Sequence, residues 1–180
     1  ECDLRRSTLE PMPETSLAVV LRGIADRLAA AGVPDPLVDA ELLVGHVLGL
    51  RRGEAQAAVV RGAGISADDV ERLEALVRRR EAREPLQHLT GSAPFRHLEL
   101  AVGPGVFVPR PETETVVQFA IDALLAAADA QPIGIDLGTG SGAIALAMAT
   151  EVPHAQVFAA EVSPDAHAWA ARNTAGVDNV

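Results

Sequence analysis

Several things are scarce or missing in this sequence, and each narrows what the chain can be. Cysteine occurs once, at Cys2, which can close no internal disulfide and has no cysteine partner for a metal cluster, so a reducing compartment suits the protein. No Gly-Lys-Ser/Thr occurs anywhere in the 180 residues, which excludes a P-loop. No window approaches the apolar length of a membrane span, and Leu17 to Ala31 is interrupted by Arg22, Asp26 and Arg27, so it does not read as a signal peptide. Positive charge is in deficit: the net charge is −10, which makes a poor default partner for a nucleic-acid backbone. The histidines have no ligand-spaced companions, so no metal site is expected. These absences together predict a cytoplasmic protein that contacts neither membrane nor nucleic acid directly.

What is present suffices for a folded core, since 48% of the chain is apolar. Residues 1–15 mix charge and proline without periodicity and read as a disordered tail. From residue 16 to 84 the pattern is helical. Thr15 or Ser16 caps a helix with Leu17, Val20, Leu21, Ile24 and Leu28 on one face, ended by Gly32. Asp35 and Pro36 open a second, with Leu37, Ala40, Leu43, Val44 and Val47 inward and Gly49 as its stop. A short third covers Glu54 to Val60, and Ser66 with Asp69 resembles a capping box for a fourth. The arginine-rich end of that helix, Arg78 to Arg83, reads either as a patch for an acidic partner or as a solvated helix end complementing the dipole, diluted by Glu81 and Glu84; the second reading is preferred.

After Pro85 the periodicity changes. Leu86 to Gly91 and Phe95 to Val102 read as the two strands of a β-hairpin connector over residues 85–108, with His88 and His97 on its polar face. Then Val108-Pro109-Arg110-Pro111-Glu112-Thr113-Glu114 places an arginine between two prolines, which fix the backbone on both sides of it, ahead of a helix running to about Ala128.

The stretch Ile133 to Gly142 is a short apolar run, then Asp136, then glycine at 138, 140 and 142, and it leads into strongly helix-forming Ala143 to Ala149. Strand, tight turn and helix in that order predict the nucleotide-binding turn of a doubly wound α/β sheet. A phosphate-bearing ligand held at the helix N-terminus would be repelled by a carboxylate at the strand end, whereas a cationic, phosphate-free nucleoside such as S-adenosylmethionine would not. Gly138, Gly140 and Ala143 still half-match a dinucleotide fingerprint. The next strand, Gln156 to Ala160, ends at Glu161, placed about 20 residues past the glycines, where an acid can accept hydrogen bonds from ribose hydroxyls.

Arg83-Glu84-Pro85-Leu86-Gln87-His88-Leu89-Thr90-Gly91, Phe95, Val108 to Glu114 and Asp136 to Gly142, in that order, resemble the release-factor glutamine methyltransferases, the PrmC or HemK family. The resemblance implies a Rossmann-like S-adenosylmethionine-dependent methyltransferase domain, present in part over residues 109–180, behind a helical domain that docks the substrate. It implies methyl transfer to the side-chain amide of the glutamine in the Gly-Gly-Gln tripeptide of peptide chain release factors. By the same resemblance Asp136, Gly138, Thr139, Gly140, Ser141, Gly142 and Glu161 would bind the cofactor, and Arg110, Pro111, Glu112 and Thr113 would wall the active site. The family's Asn-Pro-Pro-Tyr segment does not occur in these residues, so no catalytic residue is assigned, and a fragment of the enzyme is expected. An adenine-amino methyltransferase, a non-catalytic cofactor or release-factor binder, and an NAD enzyme are the competing readings.

Overall fold

The computed structural model describes residues 15–180, so the expected tail lies outside the described residues except for Thr15. The elements are β1 (Thr15–Ser16), α1 (Leu17–Ala30), α2 (Pro36–Leu48), α3 (Arg52–Val60), β2 (Gly64–Ile65), α4 (Ala67–Glu81), α5 (Leu86–Thr90), β3 (Ser92–Phe95), β4 (Leu98–Ala101), α6 (Pro111–Ala126), β5 (Ile133–Leu137), α7 (Ala143–Glu151), β6 (Gln156–Ala160) and α8 (Pro164–Thr174). They form two compact units that divide between Leu86 and Gln87, inside α5.

In the first unit α1 buries Leu17, Leu21, Ile24 and Leu28, the 3.6-residue stripe that the sequence carries, against α2, α3 and α4. Thr15 and Ser16 do not cap α1 through a side chain. They pair antiparallel with Ile65 and Gly64, and the Leu17 N–H donates to the Ala63 carbonyl at 3.0 Å. Leu37, expected inward, is 51% exposed in the first turn of α2, where burial begins only at Asp39 and Ala40. Ser66 caps α4 by accepting from the Asp69 N–H at 3.1 Å, while its hydroxyl donates to the Asp69 carboxylate at 2.7 Å, so the box is closed by a side-chain bond and not by the backbone. Ser66→Ala should therefore lower the melting temperature of the protein, at a cost of about 1 kcal/mol, read by circular dichroism; an unchanged melt would show that the cap contributes nothing.

The arginines at the end of α4 are engaged inside this unit. Arg80 pairs with the buried Asp39 at 2.7 Å, Arg79 with Glu84 at 2.6 Å, and Arg83, in a left-handed conformation, donates to the Gly32 carbonyl. Arg27 on α1 bridges Glu74 and Glu81 of α4 at 2.6 and 2.8 Å and holds both carboxyls below their ordinary range. Of the run of like charge, Arg80 thus ties α4 to α2, Arg83 reaches the loop after α1, and Arg79 pairs locally with Glu84.

The second unit corrects the hairpin. Leu86 to Thr90 is helix, and the strands are β3 and β4, joined by Arg96 and His97 with Phe95 opposite Leu98. The buried residues Leu86 and Leu89 are three apart, one helical turn, so the pattern that read as alternation was a helical one. Arg96 takes a φ of 53° at the turn, and its guanidinium reaches Glu151 and Gln118 while its N–H donates to Glu114 at 3.0 Å. His88, on the helix, meets the Val106 carbonyl at 3.1 Å; His97, at the turn, meets Thr150.

Behind the hairpin, β5 and β6 pair in parallel with Asp136 opposite Ala159. Gly134 faces inward, and a Cβ there would make ordinary contact with the Met148 sulfur at 3.4 Å and with Leu124 at 3.5 Å, so α6 and α7 pack directly over this position of the sheet. Phe95, Leu100, Val102, Val117, Ile121, Leu146 and Val157 complete this core. The alternate residues Ile133, Ile135 and Leu137 lie on the other, open face of β5, with Phe158 of β6 beside them.

Candidate functional site

Glycine at every second position lets the chain from Leu137 to Ala143 take left-handed values that other residues adopt only with strain: φ is 76° at Gly138, 58° at Gly140 and 84° at Gly142. The turn is then fastened by its amides. Gly138 and Thr139 both donate to the Ala160 carbonyl, at 2.8 and 3.1 Å, Gly140 donates to Glu161 Oε2 at 2.8 Å, and Gly142 donates to the Thr139 carbonyl at 2.9 Å.

The two acids named from the sequence hold this turn from opposite sides. Asp136 is buried, and its Oδ2 accepts from the Thr139 hydroxyl at 2.6 Å and from the Ala145 N–H at 3.2 Å. Glu161 accepts with Oε2 from Gly140 and with Oε1 from the Val162 and Ser163 N–H groups, both at 2.9 Å. These backbone donors, Ser163 first and then Gly140, hold the Glu161 carboxyl below the ordinary carboxylate range.

Beside the turn opens a cleft of about 690 Å³. One wall is Gly138 to Ser141 with Ala143 and Ile144 of α7. The other is Gly105, Phe107, Val108, Pro109 and Arg110 with Thr113 of α6, and Phe95, Glu161, Ser163 and Ala166 complete it. Of the residues expected at the site, Gly138, Thr139, Gly140, Ser141, Glu161, Arg110 and Thr113 line the cleft together. Asp136, Gly142, Pro111 and Glu112 are not among its walls. Asp136 turns its bonded oxygen to the glycine turn behind the wall, and Pro111 and Glu112 belong to the first turn of α6, from which Thr113 is the residue that reaches the cleft. Sequence reasoning gave no role to Phe107, which lines the cleft while 89% exposed; a phenylalanine between two valines reads as packing, and only the flanking Gly105 and Pro109 hinted at a presented loop. Among the described residues no group of His, Cys, Asp or Glu is arranged to hold a metal, and no helix is long and apolar enough to cross a membrane.

Comparison with known proteins places this geometry. Residues 20–91 match the family described as the PrmC N-terminal domain. The release factor glutamine methyltransferase of Streptomyces coelicolor is 56% identical over 150 residues, covering 83% of this chain and 51% of that protein. Those of Mycolicibacterium smegmatis and Bifidobacterium longum are 46% and 43% identical over 165 and 155 residues, covering 90% and 86% of this chain and 55% and 53% of theirs. The chain spans about half the length of the curated relatives it matches. A parallel strand pair, a glycine turn between strand and helix, and a preceding helical unit of this kind define part of a Rossmann-like methyltransferase. Within that class, the chain belongs to the release factor glutamine methyltransferase family.

Proposed function

We propose that the cleft binds S-adenosylmethionine and that the protein transfers its methyl group to the side-chain amide nitrogen of the glutamine in the Gly-Gly-Gln motif of peptide chain release factors, acting in the cytoplasm. The observation that carries the cofactor is the state of the turn's amides. A pyrophosphate needs free N–H groups at a glycine turn, yet those of Gly138, Thr139 and Gly140 already donate to the Ala160 carbonyl and the Glu161 carboxylate. An anion brought to Gly140 would meet Glu161 first. A sulfonium nucleoside without phosphate meets no such repulsion, so the residues present fit it.

Bound there, S-adenosylmethionine supplies an electrophilic methyl on a positively charged sulfur. The chain's own part is to hold it. Glu161 has about four acceptor positions, of which the Gly140, Val162 and Ser163 N–H groups use three, leaving capacity for a ribose hydroxyl. Gly138, Gly140 and Ser141 present backbone to the ligand, and Arg110 and Thr113 face them from the other wall. The release factor is supported by the names of the relatives, and the glutamine amide by the family resemblance.

Calorimetry tests the cofactor: S-adenosylmethionine should bind and NAD should not, and heat from NAD alone would overturn the reading. Transfer is tested by mass spectrometry of a release factor and of an adenine-containing DNA after incubation with the labelled donor, where methyl on DNA alone would establish the adenine enzyme instead. The absence of an Asn-Pro-Pro-Tyr segment from these 180 residues favours a second reading for them taken alone, binding without transfer. A protein carrying that segment, assayed beside this one, separates the two.

A further inference from the structure

We propose that Asn173, with Trp169 one helical turn before it, is a positioning residue that sets the gap between the two walls of the cleft. The inference rests on reading that cleft as the cofactor site. Among the described residues no hydrogen bond runs directly from the 103–110 segment to the glycine turn at 138–142; helix α8 joins them instead.

The side-chain amide of Asn173 is used almost completely. Its Oδ1 accepts from the Ala101 N–H at 2.8 Å, and its Nδ2 donates to the Ala101 carbonyl and to the Ser141 carbonyl, each at 2.9 Å. One neighbour is a donor and two are acceptors, so the amide orientation is fixed by its partners. Ala101 ends β4, whose chain runs on into the 103–110 wall, while Ser141 is in the glycine turn. One short side chain thus grips the root of both walls. Aspartate would keep the acceptor but set a negative charge against two carbonyl oxygens, and alanine would keep nothing.

Trp169 fixes the wall further along. Its indole N–H donates to the Pro104 carbonyl at 3.1 Å, and the ring lies so close on Gly103 that a Cβ there would fall 2.5 Å from it. Gly105, with φ at 91°, has no room for a Cβ against Asp165, also on α8, at 2.8 Å. Phe107 to Arg110 follow directly. The first turn of α8 itself contributes Ala166 to the cleft.

Asn179 provides the control. Its amide also donates two hydrogen bonds, to the Ala149 and Ala155 carbonyls at 3.0 Å, but it touches no part of the cleft. A purely structural role for Asn173 predicts that Asn173→Ala and Asn179→Ala behave alike once matched for loss of melting temperature. Positioning predicts that they do not. Trp169 is the only tryptophan in the chain, so acrylamide quenching of its emission reports on the wall without any ligand.

Asn173→Ala and Asn173→Asp should each raise that quenching, speed hydrogen exchange at the Ala101 N–H, and weaken S-adenosylmethionine binding about tenfold by calorimetry, the value of one or two lost hydrogen bonds. Asn179→Ala should leave the quenching and the affinity within about twofold of the original, less than a single hydrogen bond is worth. If the Asn173 variants do not fold, Trp169→Phe keeps an aromatic side chain but removes both the N–H bond to Pro104 and the outer indole atoms that lie on Gly103, and a weakened affinity is again expected. Equal affinities and equal quenching across the Asn173 variants and the original protein would overturn the proposal, as would an Asn179→Ala loss as large as that of Asn173→Ala. A protein that binds no S-adenosylmethionine at all refutes the function proposed above, and the ligand-free quenching and exchange then decide the positioning role alone.

Discussion

Asp136→Ala should destabilise the protein by about 3 kcal/mol and lower its affinity for S-adenosylmethionine by more than about 100-fold, on the scale of hydrogen bonds to a buried charged group. The carboxylate is 7% exposed, and its Oδ2 is the acceptor for both the Thr139 hydroxyl and the Ala145 N–H. Alanine removes that acceptor and leaves a helix N–H and a hydroxyl without it in a site closed to water, which costs more than the net value of either bond. Because Thr139 belongs to the turn and Ala145 to α7, the loss also frees the turn from the helix it leads into. Asp136→Asn keeps a carbonyl oxygen and should fall between the two. Denaturant unfolding and calorimetry on the same samples distinguish two roles. If Asp136 is a strut, stability and affinity fall together. A loss of affinity with stability intact would mean that the carboxylate meets the ligand's positive charge directly, the role that the sequence alone suggested.

That contrast shows where the sequence was informative. The glycine turn was legible because a left-handed conformation at alternate residues has one cheap chemical solution, and Gly138, Gly140 and Gly142 adopt it. The strand β5 and the Ser66 cap were legible for similar local reasons. What depended on direction in space was not. The place of Asp136 at the strand end was legible, but not that its Oδ2 is taken up by the Thr139 hydroxyl and the Ala145 N–H while the residue stays out of the cleft wall. Of the residues expected around Arg110, Arg110 and Thr113 line the cleft while Pro111 and Glu112, in the first turn of α6, do not, and Phe107, Val108 and Pro109 before them line it as well. The misread strand at Leu86 has the same origin, since a five-residue apolar and polar mixture carries too few positions to separate a period of 2 from one of 3.6. Contacts between distant positions, such as Asn173 with Ser141 or Arg80 with Asp39, leave no local trace at all.

Glu161 carries the last prediction, in which charge and geometry can be separated. Glu161→Gln should weaken S-adenosylmethionine binding on the order of 100-fold, because the neutral amide keeps one acceptor oxygen where the carboxylate offers two and turns donor hydrogens toward an N–H group. In the native protein the backbone donors at Ser163, Gly140 and Val162 stabilise the charged form and depress its pKa. A depressed carboxyl contributes its stabilisation in full above the ordinary glutamate value of about 4.3 and loses it as pH falls through the lower, folded value. Binding that depends on this anion should therefore be level from neutral pH down to about pH 5, and the part of any further decline that belongs to Glu161 should vanish in Glu161→Gln. Calorimetric titrations of both proteins across that range give the answer. Should Glu161→Gln instead admit a phosphate-bearing nucleotide while S-adenosylmethionine binds unchanged, the carboxylate acts only as a gate against anions, and the ribose must be held by another group in the cleft.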